Sequence, residues 1–388
     1  MKKILMGLMV LTISFVWASE AYATSQAARR TGLGCVVCHD GFPRLNAFGE
    51  LYMRNGYRIP GLVASHDRLT LEDVGDWFGV RLNMDGVAWA NGVGANPDTL
   101  SFGQDKWAQF FIMGPVADRF SFFTEIEITT HGTHYSWWKV GYHPNPNFNL
   151  VAGNLSPVDY SSFSNRLRIL PAVKSATYGL KPSDGTGVSS VNASSARPGV
   201  QIHGELNNEN IIYYTGVSNG RGQASGLINF WAGAKVYFPT DGQFTGSSVS
   251  ATYYTGTDAN GTDPTAPGYA ENDFSWFMPA ANLRVKRFDL QAYGRLISED
   301  NKSFARNPMS EDYNGWGFTA AWMSENDLFQ PAIQYDKSAG NSVKTKDVET
   351  LVTALSYFPL ENIRLAGYFQ ADLVGDAHKF FVNFRMMF

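Results

Sequence analysis

The feature that most constrains the fold is an alternation of apolar and polar residues that recurs from about residue 77 to the end of the chain. It is clearest in the last nine residues, whose two faces are Phe380, Val382, Phe384, Met386 and Phe388 against Phe381, Asn383, Arg385 and Met387. Because successive side chains of a β-strand point to opposite faces, this period of two predicts strands. The same pattern recurs in residues 228–238, 288–297 and 361–372. We count about sixteen such segments, each of roughly 8–13 residues.

Two β architectures produce this alternation, and the lengths of the connections distinguish them. A soluble sandwich turns its apolar face toward a core, whereas a membrane barrel turns it toward lipid. Short connections are expected at 114–118, 143–146, 207–209, 239–245, 286–287, 325–326 and 359–360. Long connections are expected at 91–106, 154–198, 218–227, 258–272, 298–312 and 337–347. Regular short-then-long alternation is typical of outer-membrane barrels, and only the connections near 130–134 and 373–376 depart from it.

We therefore predict an all-β fold, a transmembrane antiparallel β-barrel of about 16 strands, with both barrel ends on the periplasmic side. The composition agrees, since only 17% of residues are charged and mean hydropathy is −0.20, which leaves the apolar residues dispersed rather than gathered into helical spans. Aromatic residues near strand ends, such as Tyr213, Trp276 and Tyr357, are candidates for the interfacial girdle. A net charge of −4 gives no signal for nucleic-acid binding.

The N-terminus has the pattern of a secretory signal peptide. Lys2 and Lys3 precede an apolar run over residues 4–18, and Ala21-Tyr22-Ala23 supplies a small-x-small cleavage site. The apolar run is short for a membrane span, which disfavours an uncleaved anchor. We expect three parts: a signal peptide at 1–23, a small segment at 24–76 and the barrel at 77–388.

The two cysteines of the chain lie in one motif, Cys35-Val-Val-Cys38-His39. This is the attachment signature of a c-type haem, in which two thiols on one turn add to the two vinyl groups and the following histidine ligates the iron. The alternatives are a redox-active Cys-x-x-Cys pair and a structural disulfide, but no βαβ pattern of a thioredoxin-like protein is visible. We predict one covalent haem c, with Cys35 and Cys38 as attachment sites and His39 as axial ligand.

The rest of the haem environment is less determined by the sequence. Met53 and His66 are candidates for the sixth iron ligand, and an open sixth position is the alternative. The basic residues of this segment include Arg30, Arg44 and Arg54. They are candidate partners of the haem propionates, or simply a solvated basic face. The sequence predicts no other metal site, because a pair of loop histidines such as His131 and His134 is more often polar surface.

The residues after the motif carry a resemblance to a known family. Pro43, Leu45, Asn46, Phe48 and Gly49 follow the motif, and Gly56-Tyr57 comes soon after. With the signal peptide and the barrel pattern, the chain resembles the fused outer-membrane monohaem cytochrome–porins of iron-oxidising bacteria. The specific part of the resemblance covers about 25 residues. Met53 departs from it, since many relatives have a basic residue there.

The resemblance implies transfer of electrons between an extracellular donor, ferrous iron, and a periplasmic cytochrome or other soluble carrier, which would make the protein an Fe(II) oxidase-type electron-transfer protein. We expect the haem segment at the periplasmic mouth or inside the lumen. Two alternatives remain: a diffusion porin with a structural or sensory haem, and outward electron transfer to extracellular acceptors. Glu125 and Glu127 share parity and are expected to face the lumen, where they either attract cations or line a wet pore.

Overall fold

The computed structural model describes residues 25–59, 74–91, 99–102, 106–129, 132–163, 167–173, 175, 196–207, 210–220, 227–238, 242, 244–259, 265, 269, 271–300, 310–339 and 348–388. The expected signal peptide, His66 and His131 lie outside these ranges, and of His134 only the backbone is described.

Most of the described chain forms one antiparallel sheet. Of its seventeen strand segments, Thr99–Phe102 and Lys106–Ala117 pair with the same neighbour and occupy one position, which leaves sixteen strands. They are β1 (Phe78–Asn91), β2 (Thr99–Phe102 and Lys106–Ala117), β3 (Phe120–Thr129), β4 (Gly132–Asn145), β5 (Phe148–Leu155), β6 (Arg197–Leu206), β7 (Ile211–Asn219), β8 (Ile228–Tyr237), β9 (Ser248–Ala259), β10 (Glu271–Val285), β11 (Phe288–Asp300), β12 (Ser310–Trp322), β13 (Phe329–Ala339), β14 (Val348–Leu360), β15 (Ile363–Asp372) and β16 (Ala377–Met387).

The sheet closes on itself. Each strand pairs antiparallel with the next, and β16 pairs with β1 in a register that includes Leu82 opposite Met386. The terminal residue takes part, because Phe388 and Val80 exchange backbone hydrogen bonds of 2.8 and 3.0 Å. Closure leaves no edge strand in the described sheet. The prediction of a closed antiparallel barrel of sixteen strands is confirmed.

The barrel is apolar outside and polar inside. In β8, Ile228 and Phe230 are 63% and 42% exposed, whereas Asn229 and Lys235 are 0% and 4% exposed. The same inversion holds along β11, where Leu296 is exposed and its neighbour Arg295 is buried. Such an exterior is suited to lipid and excludes the soluble sandwich.

One expectation about the aromatic residues is wrong. Trp276 is fully buried and packs in a lumen cluster with Tyr254 and Phe274, so it is not part of an exterior girdle. Its position in β10 gives it the inward parity of the strand, because the exposed Phe277 follows it. Tyr357 faces outward as expected.

The described part of the connection between β5 and β6 folds into the barrel. Val158, Phe163 and Leu170 are almost completely buried, and the Phe163 ring stacks on Tyr293 with centroids 3.8 Å apart. The Ser162 backbone N–H donates to Ser250 Oγ at 2.8 Å, which fixes the loop to β9. This inward loop, of which residues 156–163, 167–173 and 175 are described, therefore narrows the lumen.

In the described residues before β1 there are four short helical elements: α1 (Gln26–Thr31), a 3-10 turn (Cys35–Val37), α2 (Ala47–Arg54) and α3 (Val74–Trp77). Ser25 caps α1 by accepting from the Ala28 N–H, and Gly32 ends it in the left-handed conformation at φ 70°. Among the described residues, no helix has the length and apolar character needed to cross a membrane.

Candidate functional site

The motif cysteines and histidine lie on one tight turn. The backbone N–H groups of Cys38 and His39 both donate to the Cys35 carbonyl, at 3.1 and 3.0 Å. Both thiols are free and half-buried, and Val36 and Val37 between them are exposed. The Cys35–His39 turn thus presents two thiols and an imidazole from five consecutive residues.

The residues after the motif hold this turn in shape. Asn46 accepts from the Gly49 N–H through Oδ1 at 2.9 Å, which caps α2, and its Nδ2 donates to the Val37 carbonyl at 3.0 Å. The Asn46 backbone N–H also donates to the Cys38 carbonyl at 2.9 Å. Asn46 therefore joins the start of α2 to the Cys35–His39 turn.

Gly49 lies directly against this turn. A Cβ at Gly49 would overlap the Cys38 carbonyl oxygen, a backbone atom that cannot move aside without moving the turn. We expect Gly49→Val to displace the turn and to cost about 1–3 kcal/mol of stability, as overpacking of a core does. The yield of covalent haem per barrel, measured by absorbance and mass spectrometry, should fall. Gly75→Ala is the control, because nothing lies within 4 Å of a Cβ at that position. Equal yields in the two variants would contradict this role of Gly49.

His39 is packed and neutral. Its backbone forms a bridge with Leu45, and its ring meets the edge of buried Phe42 at a centroid distance of 5.8 Å. Burial lowers the pKa of His39 to about 4, and backbone groups of Pro43 and Arg44 offset part of that effect. Its buried Nδ1 has no partner of good hydrogen-bond geometry. A neutral imidazole with free lone-pair capacity is the form that ligates iron.

The two thiols are not activated as redox nucleophiles. Burial raises the pKa of Cys35 to about 11, with the nearby Glu361 carboxylate adding to the effect, and burial also raises the pKa of Cys38. Reactive Cys-x-x-Cys pairs instead have a lowered pKa. The turn therefore fits covalent attachment of a haem better than it fits dithiol exchange. The donor set, two free thiols and a neutral imidazole on one turn, is the set that a c-type haem requires.

The N-terminal segment, residues 25–59, contacts the barrel at the end that carries the short connections. Glu361, in the connection between β14 and β15, accepts the Cys35 N–H through Oε2 at 2.7 Å. Gln330 donates to the Asp40 carbonyl at 3.3 Å, and Arg58 donates to the Phe120 carbonyl at 3.1 Å. These barrel residues lie within three residues of the connections 361–362, 323–328 and 118–119. We call this end the short-turn mouth.

Buried ion pairs join α2 to the barrel wall. Glu50 Oε2 lies 2.5 Å from Lys235 Nζ, and its other oxygen lies 3.8 and 3.9 Å from Arg44 and Arg284. Burial raises the pKa of Glu50, but the three cations outweigh it and hold that pKa well below its usual range. Glu50 is therefore ionised in the folded protein and neutralises a cationic part of the wall. We call this group the Glu50 cluster.

The candidate arginines of the N-terminal segment all have partners. Arg44 pairs with Asp289 at 2.9 Å, and Arg54 pairs with Glu205 at 3.1 Å. Arg30 donates to the Met113 carbonyl at 3.0 Å and to the Tyr52 hydroxyl. These contacts dock the segment onto the barrel, and a role for the three arginines with propionates stays a prediction.

Met53 lines a cleft between α2 and the inward loop, together with Arg54, Tyr160 and Lys235. Neither the motif cysteines nor His39 lines this cleft. The sixth ligand therefore stays undetermined between Met53, His66 and an open position.

Glu125 and Glu127, which the strand alternation predicts to face the lumen, both have hydrogen-bond partners. Gln109 Nε2 donates to Glu125 at 2.5 Å and also to Glu127, and Arg81 lies 3.7 Å from Glu125. In the part of the chain that the structure describes, no group of three or more His, Cys, Asp or Glu side chains is arranged to hold a metal ion.

Sequence reasoning did not find the barrel residues that complete the site. Asp289, Glu205 and Lys235 occupy inward positions of their strands, so parity places them in the lumen. Their partners in the N-terminal segment are up to 245 residues away in sequence, and no local pattern links them. Charged residues at inward positions next to short turns are the one signal that points to them.

Comparison with known proteins bears on the fold. No protein-family model matches the chain. No curated protein matches it. Among solved structures, an anion-selective porin from Comamonas acidovorans aligns with a TM-score of 0.58 at 10% identity, over 80% of this chain and 98% of that chain. OmpF of Salmonella typhi, in complex with daunomycin, aligns with a TM-score of 0.58 at 13% identity, over 80% and 97%. OmpT of Vibrio cholerae, in its trimer form, aligns with a TM-score of 0.53 at 13% identity, over 80% and 98%. At these identities the likeness establishes the fold: the chain folds as a porin-type β-barrel.

Proposed function

We propose that the protein is an outer-membrane c-type cytochrome, which transfers electrons between an extracellular donor, ferrous iron, and a soluble carrier in the periplasm. The observation that carries this proposal is the Cys35–His39 turn, a haem-attachment motif held at the short-turn mouth of a porin-type barrel. The apolar exterior supports the membrane location, since only lipid covers such a surface favourably. The resemblance to fused cytochrome–porins supports the choice of ferrous iron.

The residues of the chain have distinct roles in this proposal. A haem attached to Cys35 and Cys38 would supply one-electron redox chemistry, and His39 would ligate its iron. Asn46 and Gly49 keep the two thiols and the imidazole on one turn. Phe42 packs its ring edge on His39 and limits rotation of the imidazole. The Glu50 cluster holds the whole segment on the barrel.

The position of the turn favours a soluble partner on the periplasmic side. Short connections of outer-membrane barrels face the periplasm, and the Cys35–His39 turn lies at that end with Val36 and Val37 53% and 39% exposed. A small electron carrier that docks at the mouth would reach this exposed edge. The apolar band of a barrel is about 25 Å tall, so the external donor has to approach through the lumen.

Reduction by ferrous iron tests the proposal. We expect the detergent-solubilised protein, matured in a host with haem-attachment machinery, to carry one covalent haem and to be reduced by ferrous iron in rapid-mixing absorbance measurements. A soluble c-type cytochrome should then reoxidise it. Covalent haem that ferrous iron and the soluble carrier leave unchanged would contradict the proposal.

A diffusion porin with a structural or sensory haem is the second candidate, and the porin-type fold favours it at the coarse level. The inward loop narrows the lumen, and the N-terminal segment contacts inward-facing residues at the short-turn mouth, which opposes a wide pore. The same preparation distinguishes the two functions in planar bilayers. Large open-pore conductance without reduction by ferrous iron would favour the porin.

Outward electron transfer to extracellular acceptors would give a third result. In that case only periplasmic carriers would reduce the haem, and external ferric species would oxidise it.

A further inference from the structure

Two arginines of the barrel wall are buried without an acidic partner. Arg364 is fully buried, and its Nε and Nη2 both donate to Ser356 Oγ, at 3.0 and 2.7 Å. Its Nη1 is buried with no hydrogen-bond partner. Arg385 is 4% exposed and donates through Nε to Asn83 Oδ1 at 2.9 Å. Within the described residues, no carboxylate lies within ion-pair distance of either guanidinium.

The surroundings of these two residues add positive charge. Arg81, Arg364 and Arg168, which belongs to the inward loop, all lie close enough to Arg385 to repel it electrostatically. The hydroxyl of Tyr368 is buried without a hydrogen-bond partner and interacts electrostatically with Arg168, Arg364 and Arg385. We call Arg168, Arg364, Arg385 and Tyr368 the arginine cluster.

Three other buried arginines are different. Arg44, Arg54 and Arg197 each have a carboxylate oxygen at 2.5–3.1 Å. An isolated buried charge is strongly unfavourable, and proteins retain it where an opposite charge accompanies it. Two guanidinium groups without a carboxylate partner, beside a free phenol donor, have the charge and the donors that an anion with two negative charges requires.

The arginine cluster lies next to the Cys35–His39 turn. Arg364 is three residues after Glu361, which accepts the Cys35 N–H. The Arg364 guanidinium lies 5.8 Å from the ring centroid of Phe358, and the edge of that ring is 3.3 Å from a Cβ built on Gly41. Gly41 is two residues after His39, so the Phe358 ring lies between Arg364 and the residues that directly follow the motif.

We propose that Arg364 and Arg385, with the hydroxyl of Tyr368, bind the two propionate carboxylates of the haem that is attached to Cys35 and Cys38. The inference rests on the proposed function, since it requires a covalent haem. Propionates project from the edge of a porphyrin opposite its vinyl groups, so their partners lie across from the attachment turn rather than on it. The charges of Arg44 and Arg54 are already balanced by the carboxylates of Asp289 and Glu205.

Arg364→Gln tests the site through two measurements that do not depend on electron-transfer activity. In the haem-bearing protein, loss of the cation should lower the midpoint potential in spectroelectrochemical titration, because a positive charge near the haem favours its reduced state. The thermal midpoint should fall as well. In the haem-free Cys35→Ser/Cys38→Ser protein, Arg364→Gln should instead raise the thermal midpoint, because it removes an unpaired buried charge. Arg385→Gln should likewise lower the midpoint potential, and it should lower the thermal midpoint of the haem-bearing protein and raise that of the haem-free protein.

Two further variants serve as controls, one for the charge of Arg364 and one for the loss of a buried arginine. Arg364→Lys retains the charge, so its midpoint potential should stay nearer to that of the unmodified protein than the potential of Arg364→Gln does. Arg295→Gln removes another buried lumen arginine, one that donates to Ser338 and lies over Trp276. Its effect on the thermal midpoint should have the same sign with and without haem.

The outcomes separate the two proposals. If the unmodified protein carries no covalent haem, the proposed function fails and this inference fails with it. If haem is attached but Arg364→Gln leaves the potential unchanged, or shifts the thermal midpoint in the same direction with and without haem, only this inference is overturned. Inorganic phosphate that stabilises the haem-bearing protein in an Arg364-dependent way would also overturn it, because the site would then be free to bind a dissolved anion.

Discussion

Replacing both Cys35 and Cys38 with serine should abolish covalent haem and reduce electron transfer from ferrous iron to background, while the barrel still folds. The two thiols are the only cysteines in the sequence, so no other residue can form the thioether bonds. The contact of the turn with the barrel should survive, because Glu361 accepts from the backbone N–H of Cys35, a donor that serine keeps. Denaturing gels stained for haem, intact mass and heat-modifiable mobility of the barrel would measure the three properties.

Val37→Ala is the matched control for the serine variant. It lies between the cysteines and is 39% exposed, so its truncation should leave haem attachment unchanged. If the serine variant kept full electron transfer, the cytochrome interpretation would be wrong. If the unmodified protein contained no haem but had a Cys35–Cys38 disulfide that stabilises it, the structural alternative would be correct.

The barrel could be predicted from the sequence because the relevant signal is local. In β16, Phe380 faces outward and Phe381 is buried, as alternation predicts, and the same holds for Arg364 in β15. Whether a strand residue faces inward or outward can be read from the alternation of its sequence neighbours alone. A single sequence is therefore enough to predict the two faces of each strand. The short connection at 373–376, which departs from the expected rule, is present in the structure as a turn between β15 and β16.

The site was only partly predictable because its remaining contacts join distant parts of the chain. The spacing of Cys35, Cys38 and His39 places them on one turn without help from the barrel. The arginine cluster, by contrast, requires that β15 and β16 are neighbours and that the inward loop reaches them. Arg385 and its partner Asn83 are 302 residues apart and meet only because the barrel closes. The basic character of the N-terminal segment was visible in the sequence, but its acidic partners on the barrel were not.

The second large effect is expected at Glu50. Glu50→Gln leaves Lys235, Arg284 and Arg44 with less negative charge in a buried environment, and removing one member of a buried ion pair costs about 3–5 kcal/mol. We expect the N-terminal segment to detach from the short-turn mouth more readily. Native-state hydrogen exchange of α2 and the rate of proteolysis within residues 25–59 would measure this opening. Exchange in the strands far from the mouth should not change.

Asp40→Asn is the matched control, because Asp40 faces the same Arg284 at 3.1 Å but is 39% exposed. Burial raises the pKa of Asp40, an effect that Arg284 only partly offsets. Ionised Asp40 is therefore less favourable in the folded protein than in the unfolded chain, and the variant should change the stability of the segment little or increase it. A loss as large as that of Glu50→Gln would show that any acid beside Arg284 is required and would contradict the special role of Glu50.

The dependence on pH follows from the opposite directions of these two pKa shifts. Because the pKa of Glu50 lies below its ordinary value of 4.5, its contribution to stability is complete above that pH and is lost as the pH falls further. The segment of the unmodified protein should therefore open more readily as the solution becomes more acidic than about pH 4.5, whereas Glu50→Gln should lack this component. The difference between the two proteins should be greatest at neutral pH and shrink in acid. A difference that stays constant from neutral to acid pH would mean that Glu50 is not the group whose charge holds the segment in the barrel.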